Sequence, residues 1–316
     1  MYEKRLDFDK DLGQVLVRAC TAYGVGELQS FDLITNGYED FNVKIQTVAG
    51  KYVAKIFSSS RTQSEVTRLI SILEKVADES DAHPRLYRAD GRIDFRDGDS
   101  NLIMVLMDYV NGRTFYEIGA PTDAELRVVV ARLAEIHKIK FDDLPFQMDG
   151  WAVQNRHSLF VQSEPIIKEF PEYEFVSNAV RAFDNIPYDD LPRAFCHGDV
   201  SKQNTIRRES DGHIFFLDFS CANIYPRIHD LSVIATELMY KNGRMLPENS
   251  EILLDMYSEF APLEHMERKY FNDYVRGAIA TLYMNPVIRK YAYGDDSDQA
   301  DFFISNARDL MLQLQG

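Results

Sequence analysis

Phe195-Cys196-His197-Gly198-Asp199-Val200-Ser201-Lys202-Gln203-Asn204, followed by Phe216-Leu217-Asp218-Phe219, is the stretch on which the reading of this chain turns. It sets a carboxylate at Asp199, an amide five positions on at Asn204, and a second carboxylate at Asp218, at the end of the apolar run Ile214–Leu217. Hard oxygen donors such as Asn204 and Asp218 suit magnesium, which is held through a few protein oxygens while keeping waters of its own. A plain structural account, in which His197 and Asp199 cap a turn and Asp218 ends a strand, leaves the spacing unexplained.

Around that stretch the chain reads as an ordinary soluble globular protein. Its 316 residues are 45% hydrophobic and 27% charged, enough to bury a large core in two lobes or domains. No apolar run approaches the roughly 20 residues of a membrane span, and Met1-Tyr2-Glu3-Lys4-Arg5-Leu6-Asp7 has no apolar signal core, so a cytoplasmic location is expected. The net charge of −15 argues against nucleic acid as a partner, which requires a basic face, and is compatible with a cationic substrate. Cys20, Cys196 and Cys221 have neither metal-ligand spacing nor a disulfide framework and read as buried free thiols. Nothing in the sequence sets the oligomeric state.

Periodicity places the flanking elements. Asp9–Tyr23 is a helix with Leu12, Val15, Leu16 and Ala19 on one face. Strand-like runs follow at Phe31–Thr35, Phe41–Val48 and Lys51–Phe57, the last two joined by a tight turn at Ala49-Gly50. Thr62–Val76 is a helix and Leu102–Val110 a buried strand ending at Asn111-Gly112. Beyond it the chain is mainly helical: Asp123–Lys138, Glu164–Phe183, His229–Lys241, Glu248–Phe260, Arg268–Tyr291 and Gln299–Gln315. Lys140–His157 is linker-like and carries the single tryptophan, Trp151. Gly50-Lys51-Tyr52 is no phosphate-binding P-loop, because the upstream glycine and the Ser or Thr are missing.

The central stretch resembles the catalytic loop and metal-binding aspartate of kinases, written H-R-D-x-x-x-x-N and D-F-G in protein kinases and H-G-D-x-x-x-x-N and D-F-S here. The H-G-D form is similar to the aminoglycoside phosphotransferase and choline kinase superfamily of small-molecule kinases. The likeness runs from about Phe31 to the C-terminus and is strongest over Ala194–Glu237, including Arg227-Ile228-His229-Asp230-Leu231. It implies an α+β, bilobal protein-kinase-like fold with a small antiparallel-sheet N-lobe and a mainly helical C-lobe. Residues 1–110 then form the nucleotide-binding lobe, with a hinge at about 107–112, and residues 111–316 form the catalytic and substrate-binding lobe. Asp199 becomes the catalytic residue, Asn204 and Asp218 hold Mg, and Asp230 braces the loop.

The same resemblance assigns an ATP side. Val53-Ala54-Lys55-Ile56 looks like the V-A-I-K strand whose lysine reaches the phosphates and is steadied by a helix carboxylate. Glu65 is the best candidate for that carboxylate and Glu74 the second. Asn36-Gly37-Tyr38-Glu39-Asp40-Phe41-Asn42-Val43 departs from G-x-G-x-x-G, and Gly37 and Asn42 fit the looser phosphate loop of the superfamily. Glu39 and Asp40 would repel phosphate if they pointed inward. Met107 takes the gatekeeper position, and Asp108 and Val110 offer backbone contacts to adenine. His137 resembles the family's L-x-x-x-H position. Lys202, third after Asp199, could touch the γ-phosphate.

Asp218 and Asp230 are twelve positions apart with no A-P-E between them, which leaves no platform for a peptide. A small hydroxyl-bearing substrate fits better: an aminoglycoside, an amino alcohol, homoserine or a sugar. The acids Asp295, Asp296, Asp298 and Asp301 could hold an amine or form a solvated loop. A nucleotide-binding regulator without turnover and a protein kinase are the competing readings.

Overall fold

A computed structural model describes residue 8 and residues 11–34, 40–239 and 247–315. Gly37, expected in the phosphate loop, lies outside the described residues. The chain divides into two compact units, the first comprising Met1–Gly112 and Arg208–Leu217, the second Arg113–Arg207 and Asp218–Gly316. The placement of Arg208–Leu217 differs from a single cut at residue 110. That segment turns back on itself through Arg208 N–H to His213 O (2.8 Å) and is pinned to the first unit by Phe216 N–H to Ala82 O (2.6 Å).

The first unit is built on an antiparallel sheet of β1 (Leu28–Ile34), β2 (Phe41–Thr47), β3 (Lys51–Ile56), β4 (Asp94–Arg96) and β5 (Ile103–Asp108), in the order β1-β2-β3-β5-β4. Along β2 burial alternates, so Phe41, Val43 and Ile45 enter the core while Asn42 and Lys44 face the other way. The turn after β2 closes through Thr47 N–H to Gly50 O (2.9 Å), as Ala49-Gly50 predicts. The helix α1 (Leu12–Tyr23) adds Leu12, Val15, Leu16 and Ala19 to the same core. α2 (Gln63–Glu79) follows β3 and starts with a capping box between Thr62 and Glu65.

The second unit is mainly helical: α3 (Asp123–Ile136), α4 (Arg156–Ile167), α5 (Tyr173–Phe183), α6 (Ile228–Glu237), α7 (Pro247–Ser258), α8 (His265–Tyr293) and α9 (Asp298–Gln315). One helix was expected over Glu164–Phe183, and the structure has two. Pro171 has no N–H and disfavours helical geometry at its predecessor, Phe170, and the chain turns between Ile167 and Tyr173. The long α8 packs against α4, α5, α6 and α9. It approaches α5 closely at Gly277, where a Cβ would lie 2.6 Å from the Phe183 ring. A two-stranded ribbon, β6 (Arg193–Cys196) with β7 (Asn223–Pro226), brackets the loop that carries Asp199.

Candidate active site

In the first unit, the β2–β3 register sets Lys55 opposite Asn42, on the face away from the Phe41 core. Its ammonium meets a carboxylate that the sequence did not single out for it. Lys55 Nζ lies 3.1 Å from Asp40 Oδ2, with both side chains buried. Glu65 instead folds back on its own helix start, accepting from Thr62 N–H (2.6 Å) and Thr62 Oγ1–H (2.9 Å). A glutamate three residues past an N-cap threonine is within reach of that cap, and the local bond decides its orientation. The other candidate, Glu74, pairs with Arg88. Asp40 points inward, as feared, but toward cations: Arg61 binds both its oxygens, Nε to Oδ1 at 2.6 Å and Nη2 to Oδ2 at 3.0 Å.

Met107 is buried in β5, in register with Val53. Asp108 N–H donates to Arg85 O (3.0 Å), so the backbone group Asp108 can offer an adenine is its carbonyl. A cavity of about 560 Å³ lies beside Asp108, Tyr109 and Val110, walled by Arg85, Arg88 and His213, and does not reach Lys55.

In the second unit, the loop after β6 is held from behind by one buried carboxylate. Asp230 Oδ2 accepts from His197 N–H and Oδ1 from Gly198 N–H, both at 2.8 Å. His137 Nε2 meets Oδ2 at 3.1 Å, while Tyr257 OH lies 2.7 Å from His137 Nδ1. A carboxylate only accepts, so Nε2 carries the proton and the tyrosine donates to Nδ1. Burial pushes the Asp230 carboxyl up, but the His137 bond and the neighbouring histidines outweigh it, and it titrates below the usual range. Gly198 has φ +87°, and a Cβ there would sit 2.3 Å from Cys221 O, so only glycine fits H-G-D at this point.

The loop brings Asp199 and Asn204 together. Asn204 Nδ2 donates to Asp199 Oδ2 at 2.7 Å, which leaves the amide oxygen to face a cation. Asp218 adopts the left-handed conformation (φ +61°) and is exposed, with Ser220 N–H (3.3 Å) and Oγ–H (2.6 Å) both on Oδ1. The oxygen donors of Asn204 and Asp218 fit a hard divalent ion. Burial pushes the Asp199 carboxyl up to about 7, helped by the charges of Glu237, Asp218 and Asp149. Glu237, at the end of α6, is itself raised to about 7 by burial, against the pull of Lys202. Asp149 is raised by burial too and accepts from Trp151 N–H at 2.9 Å. Burial holds the Lys202 ammonium down, and its carbonyl accepts from Tyr116 N–H at 3.1 Å.

Three features of the two units were not read from the sequence. Asp40 is the carboxylate that Lys55 meets; the available signal was its place next to the start of β2, two residues before Asn42, the register partner of Lys55. Glu237 and Asp149 join Asp199 electrostatically with no motif to announce them. Of the acids that were read as an amine site or a solvated loop, Asp295 pairs with Arg289 at 2.7 Å and Asp301 with Lys290.

Three comparisons bear on what this arrangement is. Residues 30–263 match the phosphotransferase enzyme family. The homoserine kinase of Methylobacterium nodulans is 23% identical over 274 residues, covering 82% of this chain and 79% of the relative. A spectinomycin phosphotransferase solved with ADP and spectinomycin superposes with a TM-score of 0.68 at 11% identity, over 98% of this chain and 100% of the other. The choline kinase LicA of Streptococcus pneumoniae gives 0.63 at 15%, over 95% and 98%. A microcompartment-associated aminopropanol kinase gives 0.62 at 15%, over 94% and 95%. The α+β kinase-like fold, the H-G-D loop braced by Asp230 and a family match over most of its length agree: this chain belongs to the phosphotransferase enzyme family, as a small-molecule O-phosphotransferase.

Proposed function

We propose that the protein transfers the γ-phosphoryl group of ATP, with magnesium, to a hydroxyl of a small molecule of the amino alcohol, homoserine, aminoglycoside or sugar type. The observation that supports this reading most directly is the Asp199–Asn204 contact: Asn204 donates its N–H to Asp199 Oδ2, which sets the two groups side by side and leaves the amide oxygen as an acceptor for a cation. Asp199 orients the acceptor hydroxyl and takes its proton as the new O–P bond forms and the bond to ADP breaks. Its raised titration matches a proton acceptor working near neutrality. Asn204 and Asp218 hold the magnesium, which when bound neutralises charge on the phosphates. Lys55 engages the phosphates, while Asp108 and Val110 supply backbone groups to adenine. The names of the relatives support an alcohol acceptor and leave its identity open.

An ADP-release assay across amino alcohols, homoserine, aminoglycosides and amino sugars tests the reading. Asp199→Ala lowers turnover by about 10²–10⁴-fold, the usual scale for a positioned proton acceptor. Equal turnover in variant and wild type removes the assignment. Asp218→Ala loses magnesium-dependent nucleotide binding; unchanged binding refutes the metal role.

A further inference from the structure

The turn after β3 brings a second cation to the carboxylate that Lys55 meets. After β3 the chain reverses at Ser58–Arg61, through Arg61 N–H to Ser58 O at 3.1 Å, so Thr62 opens α2 and Arg61 points back to the start of β2. There it grips Asp40 with two parallel bonds, a geometry that fixes a carboxylate in orientation as well as place. Ser58 N–H adds a bond to Oδ1 at 3.2 Å. Lys55 Nζ rests on Oδ2, the oxygen that Arg61 Nη2 also holds. The Asp40 and Arg61 side chains are 3% and 6% exposed and that of Lys55 9%, so the cluster is shielded from the solvent screening that weakens surface pairs. A lysine ammonium is a mobile point charge on a four-carbon stem, and it gains a fixed position only from a fixed partner.

We propose that Arg61 and Asp40 are the positioning residues for Lys55: Arg61 locks the Asp40 carboxylate, and Asp40 holds the ammonium where it meets nucleotide phosphate. The pair does the work that a carboxylate of α2 was expected to do. This rests on the proposed role of Lys55, so the test reads nucleotide binding separately from turnover.

The experiment is calorimetric titration of the full chain with MgADP, together with KM for ATP and KM for the hydroxyl substrate. Arg61→Lys keeps the charge and removes the two-point grip. It weakens MgADP binding by about 3–10-fold and raises KM for ATP similarly, with KM for the hydroxyl substrate unmoved. Arg61→Gln weakens binding by tenfold or more, and where that variant does not fold, Arg61→Lys decides. Glu65→Gln has the smaller effect on MgADP. Wild-type affinity in folded Arg61→Lys, or a larger loss in Glu65→Gln, overturns the proposal while leaving the kinase reading intact. A wild-type chain that binds no MgADP overturns both.

Discussion

Replacing Asp230 by asparagine tests the brace on which the catalytic loop depends. The carboxylate is fully buried and holds three donors: His197 N–H, Gly198 N–H and His137 Nε2–H. Asparagine keeps one acceptor oxygen. With that oxygen facing His197 and His137, its NH₂ faces Gly198 N–H, so one bond becomes a clash of donors and two lose their charge assistance. A hydrogen bond to a charged group contributes about 1.5–3 kcal/mol and a neutral one about half that. The expected loss is then about 3–5 kcal/mol, the range for breaking a buried ionic contact. For a unit of roughly 200 residues that is a fall in Tm of about 6–20 °C.

The pH dependence gives a second signature of the same bond. The folded-state titration of Asp230 is depressed, so its contribution is complete above the ordinary carboxylate value of 3.8 and is lost as pH falls through the lower folded value. Wild-type stability therefore declines more steeply below about pH 4 than that of Asp230→Asn. Thermal unfolding followed by circular dichroism at pH 7 and pH 3 measures both effects. A fall in Tm of under about 2 °C at pH 7, or parallel curves in acid, refutes the brace.

Three further outcomes follow from the same geometry. Gly198→Ala strains a left-handed backbone position by about 1–2 kcal/mol and drives a methyl group against Cys221 O, so turnover falls at least tenfold; wild-type turnover contradicts the close approach. In metal-free protein, ¹³C NMR of the Asp199 carboxyl titrates near pH 7, and Glu237→Gln moves that midpoint down because a neighbouring negative charge is gone; an unmoved midpoint shows that Glu237 does not act on Asp199. Tyr257→Phe leaves His137 Nδ1 without its donor and lowers stability by about 1 kcal/mol, a buried hydrogen bond's usual worth; chemical denaturation with an unchanged midpoint argues against the Tyr257–His137–Asp230 chain.

Most of the fold was legible because its signals are local. Alternation marks β2, a 3.6-residue period marks α1 to α3, and capping threonines start α2 and α3. Where two local signals compete, pattern alone misleads: apolar spacing argued for one helix over Glu164–Phe183, and Pro171 divides it. Glu65 shows the same difficulty at the site. Its position suited an ion pair with Lys55, and in the folded chain its carboxylate closes a capping box with Thr62.

By itself the sequence determined the chemistry-bearing groups: Lys55 on a strand, the H-G-D-x-x-x-x-N loop and Asp218 at a strand end. These are fixed by residue type and short spacing, which no later folding can alter. Tertiary structure alone decided the partners. Lys55 meets a carboxylate 15 positions earlier in the chain, Asp40 meets a guanidinium 21 positions later, and the loop at His197 and Gly198 hangs on an aspartate more than 30 positions downstream. Each choice depends on which donors and acceptors the folded chain brings within about 3 Å and shields from water. That is a property of three-dimensional packing, and linear spacing does not encode it.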